Sequence, residues 1–352
     1  MNLSPSLLPV VPNIHHEALA TRLQRLLDGK TKPKGSLGQI EALALRIGIL
    51  QGTELPRLDR PQLLVCAGDH GLAAQGVSAY PADVTWQMVC NFLAGGAAVN
   101  VLARQHAIAV TVVDCGVRGE FLPQRGLVGC KIAHGTADSS AGAAMTDAQC
   151  QQAIANGRDI VRSLPGNALL LGEMGIGNSS AASLLLARLA GIDIDACTGP
   201  GTGLDAAGIA RKRGVLRAVL QRHAQATTPL AALAAFGGFE IATLAGAVLQ
   251  AADERRVIVL DGFISGAAVL VAQGLRRQVV QRCIAAHQSA EPGHAAMLAH
   301  LGLEPLLRLD LRLGEGSGAA LAWPLLESSC RLLAEMASFD SAGVSREVVQ
   351  PS

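Results

Sequence analysis

The sequence predicts an α/β fold, with a parallel sheet covered by helices on both faces. Two observations carry this. Short apolar runs, among them Gln62–Cys66, Ile108–Asp114, Ala168–Leu171 and Val257–Leu260, alternate with longer segments of helical period. That is the pattern of strands buried on both sides. Acids stand at the carboxyl ends of the strands: Asp69, Asp114, Glu173, Asp261 and Glu315. Open sheets of this kind bind ligands along that edge.

The elements follow in order. Pro-rich Met1–Asn13 reads as an extended arm, and His16–Leu27 as a helix ending near Gly29. The turn-rich loop Thr31–Gly38 comes next. Gly29-Lys30-Thr31 is not a Walker A ending, because Gln24 stands where the leading glycine belongs. Gln39–Gln51 is helical. The strand Gln62–Cys66 opens into Ala67-Gly-Asp-His-Gly71 and a loop through Pro81. Asp83 or Thr85 is placed to cap a helix from Val84 towards Leu93, which Gly95 and Gly96 separate from a helix over Ala97–His106. After the strand Ile108–Asp114, Gly116–Ser140 is loop-like and Asp147–Ser163 helical.

The strand Ala168–Leu171 leads into Gly172-Glu-Met-Gly-Ile-Gly-Asn178 and a helix over Ser180–Gly191. A glycine loop, Gly199–Gly203, precedes the helix Leu204–Ala224. The strand Val257–Leu260 is followed by a helix Ser265–Leu275, a short strand Cys283–Ala286, the loop His287–His294 and a helix Ala295–Leu301. Leu309, Leu311 and Leu313 alternate with Asp310 and Arg312, so Arg308–Leu313 is expected as the last strand. Ala319–Ala337 is the last helix, bent at Pro324. The helices before the first strand and after the last are placed to form a small subdomain.

Composition narrows the function classes. With 352 residues, 50% hydrophobic and 16% charged, the chain can bury a sizeable core. Aromatics are only 3%, which favours close-packed helices over an aromatic binding platform. A net charge of +1 without a basic run excludes nucleic-acid binding by counterion release. The scattered cysteines form no CxxC, and read as reduced thiols of a cytoplasmic protein. His287, His294 and His300 lack tight ligand spacing, so no metal is expected. Met1–Val11 lacks the charge and cleavage pattern of a secretory signal. Leu230–Ala252 is long enough to span a membrane. Glu240 and the Gly237-Gly238 break mark it instead as a core helix or helix pair.

Three glycine loops follow strand or loop ends: Gly172–Asn178, Gly199–Gly203 and Gly314–Gly318. Backbone N–H groups at such helix starts suit phosphate. An acid inside two of them is electrostatically awkward there, which points to proton chemistry at Glu315 and Glu173.

These motifs resemble one family. Thr31–Gly38, Ala67–Gly71, Gly76-Val-Ser-Ala-Tyr-Pro81 with Val84–Met88, Gly172–Asn178, Gly201-Thr-Gly-Leu-Asp205, Leu313–Gly318 and Phe339–Ser345 are similar to nicotinate-nucleotide–dimethylbenzimidazole phosphoribosyltransferases. The resemblance implies a Rossmann-like large domain, about 61–318, and a small helical domain built from both chain ends, about 1–60 and 319–352. It also implies a homodimer in which the neighbouring small domain helps to close each site. The implied reaction moves phosphoribose from nicotinate mononucleotide to 5,6-dimethylbenzimidazole, giving nicotinate and α-ribazole 5′-phosphate for cobalamin, without a cofactor.

On that reading Glu315 is the catalytic base. Glu173 is an auxiliary base, a counter-charge to the sugar or an anchor for the ribose. Gly175, Gly177, Asn178, Gly314, Gly316 and Ser317 hold phosphate and ribose through backbone N–H groups, and Gly201 and Gly203 allow close approach. Lys212 supplies phosphate charge or is a surface lysine. Ser78, Tyr80, Gln87 and Met88 are candidates for the acceptor slot. A dinucleotide-binding oxidoreductase would need GxGxxG after the first strand, where Ala-Gly-Asp-His-Gly stands. A catalytically silent nucleotide-binding or sensing protein is the other alternative, and the two filled acidic positions argue against it.

Overall fold

The structure is a computed structural model, and it describes residues 7–201 and 203–345. Helices α1 (Glu17–Asp28) and α2 (Gln39–Gln51) precede the first strand, β1 (Gln62–Gly68). Then come α3 (Asp83–Ala94), α4 (Ala98–Gln105), β2 (Ala109–Gly116), β3 (Leu127–Gly129), α5 (Asp147–Ser163) and β4 (Ala168–Met174). Helices α6 (Asn178–Ala190), α7 (Ile194–Cys197), α8 (Ala206–Arg222), α9 (Pro229–Phe236) and α10 (Phe239–Asp253) separate β4 from β5 (Val257–Leu260). The chain ends with α11 (Phe263–Leu275), β6 (Cys283–His287), α12 (Pro292–Leu301), β7 (Pro305–Leu307), α13 (Ser317–Glu335) and α14 (Phe339–Ala342).

The chain divides into two compact units, Met1–Pro12 with Arg60–Ala322, and Asn13–Asp59 with Trp323–Ser352. The first holds the sheet. Its order among the described residues is β3-β2-β1-β4-β5-β6-β7, with every pair parallel. Every residue of β1, β5 and β6 is buried. Successive side chains point to opposite faces, so both faces are covered, as the unbroken apolar runs predict. The order reverses between β1 and β4, which opens a crevice at their carboxyl ends.

The apolar stretch Leu230–Ala252 is a pair of buried helices, α9 and α10, turned at Gly237-Gly238. Asp83–Gln105 has a mean hydropathy of 1.2, but Gly95 and Gly96 divide it into α3 and α4. Of the expected extended arm, Met1–Ser6 lies outside the described residues. Arg276 and Arg282 hold the part that follows, donating to the carbonyls of Pro9 (2.9 Å) and Pro12 (2.6 Å).

The expected strand Arg308–Leu313 is not formed. The last strand is Pro305–Leu307, and the Leu/Asp/Leu/Arg/Leu alternation runs on past it as irregular chain. Asp310 has a left-handed φ of 54°, which breaks any strand there. Leu309 and Leu313 are 53% and 57% exposed. An edge strand has no further neighbour to give such a period a buried face. Several short elements went unpredicted: β3 inside the loop Gly116–Ser140, α7, β7 and α14.

The second unit is helical. Leu19, Leu23, Leu27, Ala44 and Leu333 form its core. His16 caps α1, its Nδ1 accepting from Leu19 N–H at 3.2 Å. Its two chain segments join here: Lys30 and Ser338 form an antiparallel bridge, and Thr31 N–H donates to Ala337 O at 3.0 Å. A buried ion pair between Lys32 and Glu41 (2.8 Å) orders the Thr31–Gly38 loop, with Leu37 N–H also donating to Glu41 at 2.9 Å.

Candidate active site

The crevice between β1 and β4 is where the glycine loops gather. β4 runs three residues beyond the expected end, so Glu173 is on the strand rather than in the loop. Gly175-Ile176-Gly177 then turns the chain into α6. Thr85 does not cap α3: its hydroxyl accepts from Ile176 N–H at 3.1 Å and pins this turn. Asn178 donates its side-chain amide to Glu173 Oε2. Burial, then the neighbouring Asp261, Glu240 and Glu315 carboxylates, push the Glu173 carboxyl up to about 8, against the Asn178 bond.

Asp261, at the end of β5, organises the Gly314–Gly318 loop. Its two oxygens accept from Gly316 N–H (3.2 Å) and Ala319 N–H (3.0 Å). These are orphan donors at the start of α13. Ser317 closes the turn on Gly314 O at 2.7 Å. Glu315 adopts a left-handed φ of 66°, unusual for a residue with a side chain. It is 5% exposed, and its Oε2 accepts from Val99 N–H at the start of α4, at 3.3 Å. Burial raises the Glu315 carboxyl, the Val99 bond opposes this, and Asp261 adds to it.

The two acidic loops interlock. A Cβ on Gly172 would lie 2.3 Å from Glu315 O, and one on Gly314 would lie 2.3 Å from Glu173 Oε1. Only glycine fits at either position.

The third loop, Gly199–Gly203, covers Lys212, with Thr202 outside the described residues. Lys212 is fully buried, which removes the surface-lysine alternative. Its ammonium donates to Ser179 Oγ (2.9 Å) and Gly199 O (3.4 Å). Burial lowers it to about 8, with Glu291 opposing.

A cavity at this edge is lined by Ser78, Glu173, Gly175, Gly177, Asn178, Gly201 and Gly314 from the sequence expectations. Gly203, Lys212, Glu315, Gly316 and Ser317 lie outside its lining. So do Tyr80, Gln87 and Met88; Tyr80 is 53% exposed, Gln87 exposed and Met88 half-buried. His287 also lines it, and so do Phe263, Ser289, Glu291 and Arg312, which the sequence reading missed. Ser289 and Glu291 follow the carboxyl end of β6, so the strand-edge rule applied to Cys283–His287 would have flagged them. His294 sits beside His287 with ring centres 6.1 Å apart. Burial holds it neutral, at about 3, and its Nδ1 accepts from Ser289 N–H at 2.8 Å. Among the described residues no group of three or more His, Cys, Asp or Glu side chains is gathered as for a metal ion.

The arrangement combines an amide-lined cradle, a buried lysine and two carboxyls with raised affinity for protons. That set can hold a phosphorylated sugar and accept a proton from a partner molecule.

A family model described as phosphoribosyltransferase matches residues 12–344. The nicotinate-nucleotide–dimethylbenzimidazole phosphoribosyltransferase of Variovorax paradoxus is 73% identical over 99% of both chains. That of Aromatoleum aromaticum is 54% identical over 94% of this chain and 97% of its own. A crystal structure of CobT from Thermus thermophilus superposes with a TM-score of 0.91 at 43% identity, covering 94% of this chain and all of that one. The chain belongs to this family of phosphoribosyltransferases.

Proposed function

We infer that the chain transfers phosphoribose from nicotinate mononucleotide to 5,6-dimethylbenzimidazole, giving nicotinate and α-ribazole 5′-phosphate. The observation that carries the reading is the pair of interlocked acidic loops beside an amide cradle, in a chain 73% identical to an enzyme of that name. The acceptor's unprotonated ring nitrogen attacks C1′ of the sugar. The bond from C1′ to the pyridinium breaks, and its electrons neutralise the departing nitrogen. Attack from the opposite face inverts β to α. The acceptor's second nitrogen then carries an acidic N–H, whose proton passes to a carboxylate.

Two neighbouring carboxyls whose surroundings separate their acidities divide such work. Glu315, held by Val99 N–H at the start of α4, is favoured as the anion by the helix dipole. It acts as the base. Glu173, pushed up to about 8, keeps its proton in the empty site at neutral pH. The cationic pyridinium of the donor favours its ionised form, and the resulting carboxylate faces the sugar as positive charge develops. The amides of Gly175 and Gly177 take the phosphate; Asn178 N–H is already spent on Gly175 O (3.1 Å), and the buried Lys212 ammonium adds positive charge from behind Gly201. Ser78 serves as one wall of the acceptor slot, with Tyr80, Gln87 and Met88 further out.

The protein works as a cytoplasmic homodimer. Incubation with both substrates, followed by separation of nicotinate from α-ribazole 5′-phosphate, tests the reaction. Both products are expected in equal amounts. Nucleotide binding without nicotinate release would leave the catalytically silent alternative.

A further inference from the structure

A buried ion pair lies behind the cradle. His70 Nε2 and Glu240 Oε1 are 2.6 Å apart, with side chains 3% and 0% exposed. Burial disfavours the imidazolium, yet Glu240 and Asp69 together hold its proton affinity above the ordinary histidine value. Such a pair costs more to desolvate than a packed apolar pair, so its presence is not explained by stability.

The surroundings are built around it. His70 lies under the Gly175–Gly177 turn: a Cβ on Gly175 would be 3.5 Å from its Cδ2, and one on Gly177 would be 3.3 Å from its Cβ. The carboxylate end is turned to Gly68 and Gly238, where a Cβ would come within 2.8 Å and 2.3 Å of Glu240 Oε2. That oxygen has no hydrogen-bond partner among the described residues. Glu240 also stands in the first turn of α10, where the helix dipole favours its charge. The imidazole is thus the member of the pair that packs against the Gly175–Gly177 turn, while the free carboxylate oxygen faces Gly68 and Gly238. The acids around the imidazole are Asp69 and Glu240, with Glu173 coupled to Glu240 from β4.

We propose that His70 and Glu240 are positioning residues of the donor site, an imidazolium–carboxylate dipole whose positive end backs the Gly175–Gly177 turn and strengthens its hold on the donor's phosphate. In a dry interior such a fixed dipole acts on an anion without the reorganisation that water requires. The identity of the donor rests on the proposed phosphoribosyl transfer. The anion-binding role is tested apart from it, with sulfate and inorganic phosphate.

Two measurements decide it on the full chain. In the unaltered protein, histidine-selective NMR follows His70 with and without saturating sulfate. Coupling is reciprocal, so a roughly tenfold contribution to sulfate affinity raises the His70 pKa by about one pH unit. A pKa unmoved by sulfate overturns the proposal. The second uses Glu240→Gln, His70→Gln and the double variant. Each single variant leaves one buried charge uncompensated, whereas two glutamines can hydrogen-bond to each other, so the double variant melts nearer the wild type than either single one. Phosphate still binds it roughly tenfold more weakly, and the donor KM rises to match while kcat stays within about threefold. Wild-type phosphate affinity in the folded double variant, or a fall in kcat at unchanged KM, contradicts the role. Failure of wild-type protein to release nicotinate would count against the reaction instead, and leaves the sulfate result readable.

Discussion

Glu173 and Glu315 each follow a glycine at the entry to a loop that feeds a helix of small residues. The fold gives them opposite surroundings. Glu173 is next to last on a buried strand, faces the cavity and has acids for neighbours, so it holds its proton. Glu315 sits in a left-handed turn outside the cavity lining and takes an N–H at a helix start. The difference teaches that a motif's layout brings a carboxyl to the sheet edge, while its ionisation depends on what packs behind it.

The largest effect tests the interlock between them. Gly314→Ala places a Cβ 2.3 Å from Glu173 Oε1 at a φ of 84°. Displacing a reacting group by about 1 Å costs roughly a hundredfold, so kcat/KM should fall by that order while circular dichroism stays native. Activity within threefold of wild type, roughly 0.7 kcal/mol, would mean that the two loops need not touch.

A second test sharpens the contrast in ionisation. The Glu173 pKa rises from 4.5 to about 8 on folding. Between those values the folded chain binds a proton that the unfolded chain has released, so stability falls as pH rises through the window. Glu173→Gln removes that loss. Its Tm should exceed the wild-type Tm by a few degrees at about pH 9 and by nothing near pH 4. A gain independent of pH would contradict the assignment of the raised value to Glu173.

The smallest effects compare the residues proposed for the acceptor slot. Ser78→Leu narrows the cavity and should raise the acceptor KM by roughly tenfold. Tyr80→Ala, at an exposed position outside the lining, should change it by about twofold or less. The reverse order would move the acceptor away from Ser78.

Most of the fold was legible because its central strands are unbroken apolar runs. Val257–Leu260 and the helices Gln39–Gln51 and Asp147–Ser163 fall where periodicity puts them. Leu309–Leu313 misled because alternation reports a strand only where a sheet receives it, and Leu309 and Leu313 face outwards. β3 is three residues with no fully buried side chain, too weak a signal to read. In the site, the glycines were legible through their spacing. Glu291 and Arg312 were not, because a charged side chain looks the same in sequence whether it meets water or a cavity. Lys212 shows the same ambiguity from the other side, as a lysine of ordinary helical context that proves fully buried.

The division of labour between the two carboxyls is tested most directly by single-turnover kinetics of Glu315→Gln beside Glu173→Gln, with donor affinity measured separately. The account predicts that Glu315→Gln slows the chemical step by roughly a hundredfold and leaves donor affinity almost unchanged. Glu173→Gln should slow it less and weaken the donor more. A Glu315→Gln protein that transfers phosphoribose at the wild-type rate, with the loss appearing in Glu173→Gln instead, would contradict it.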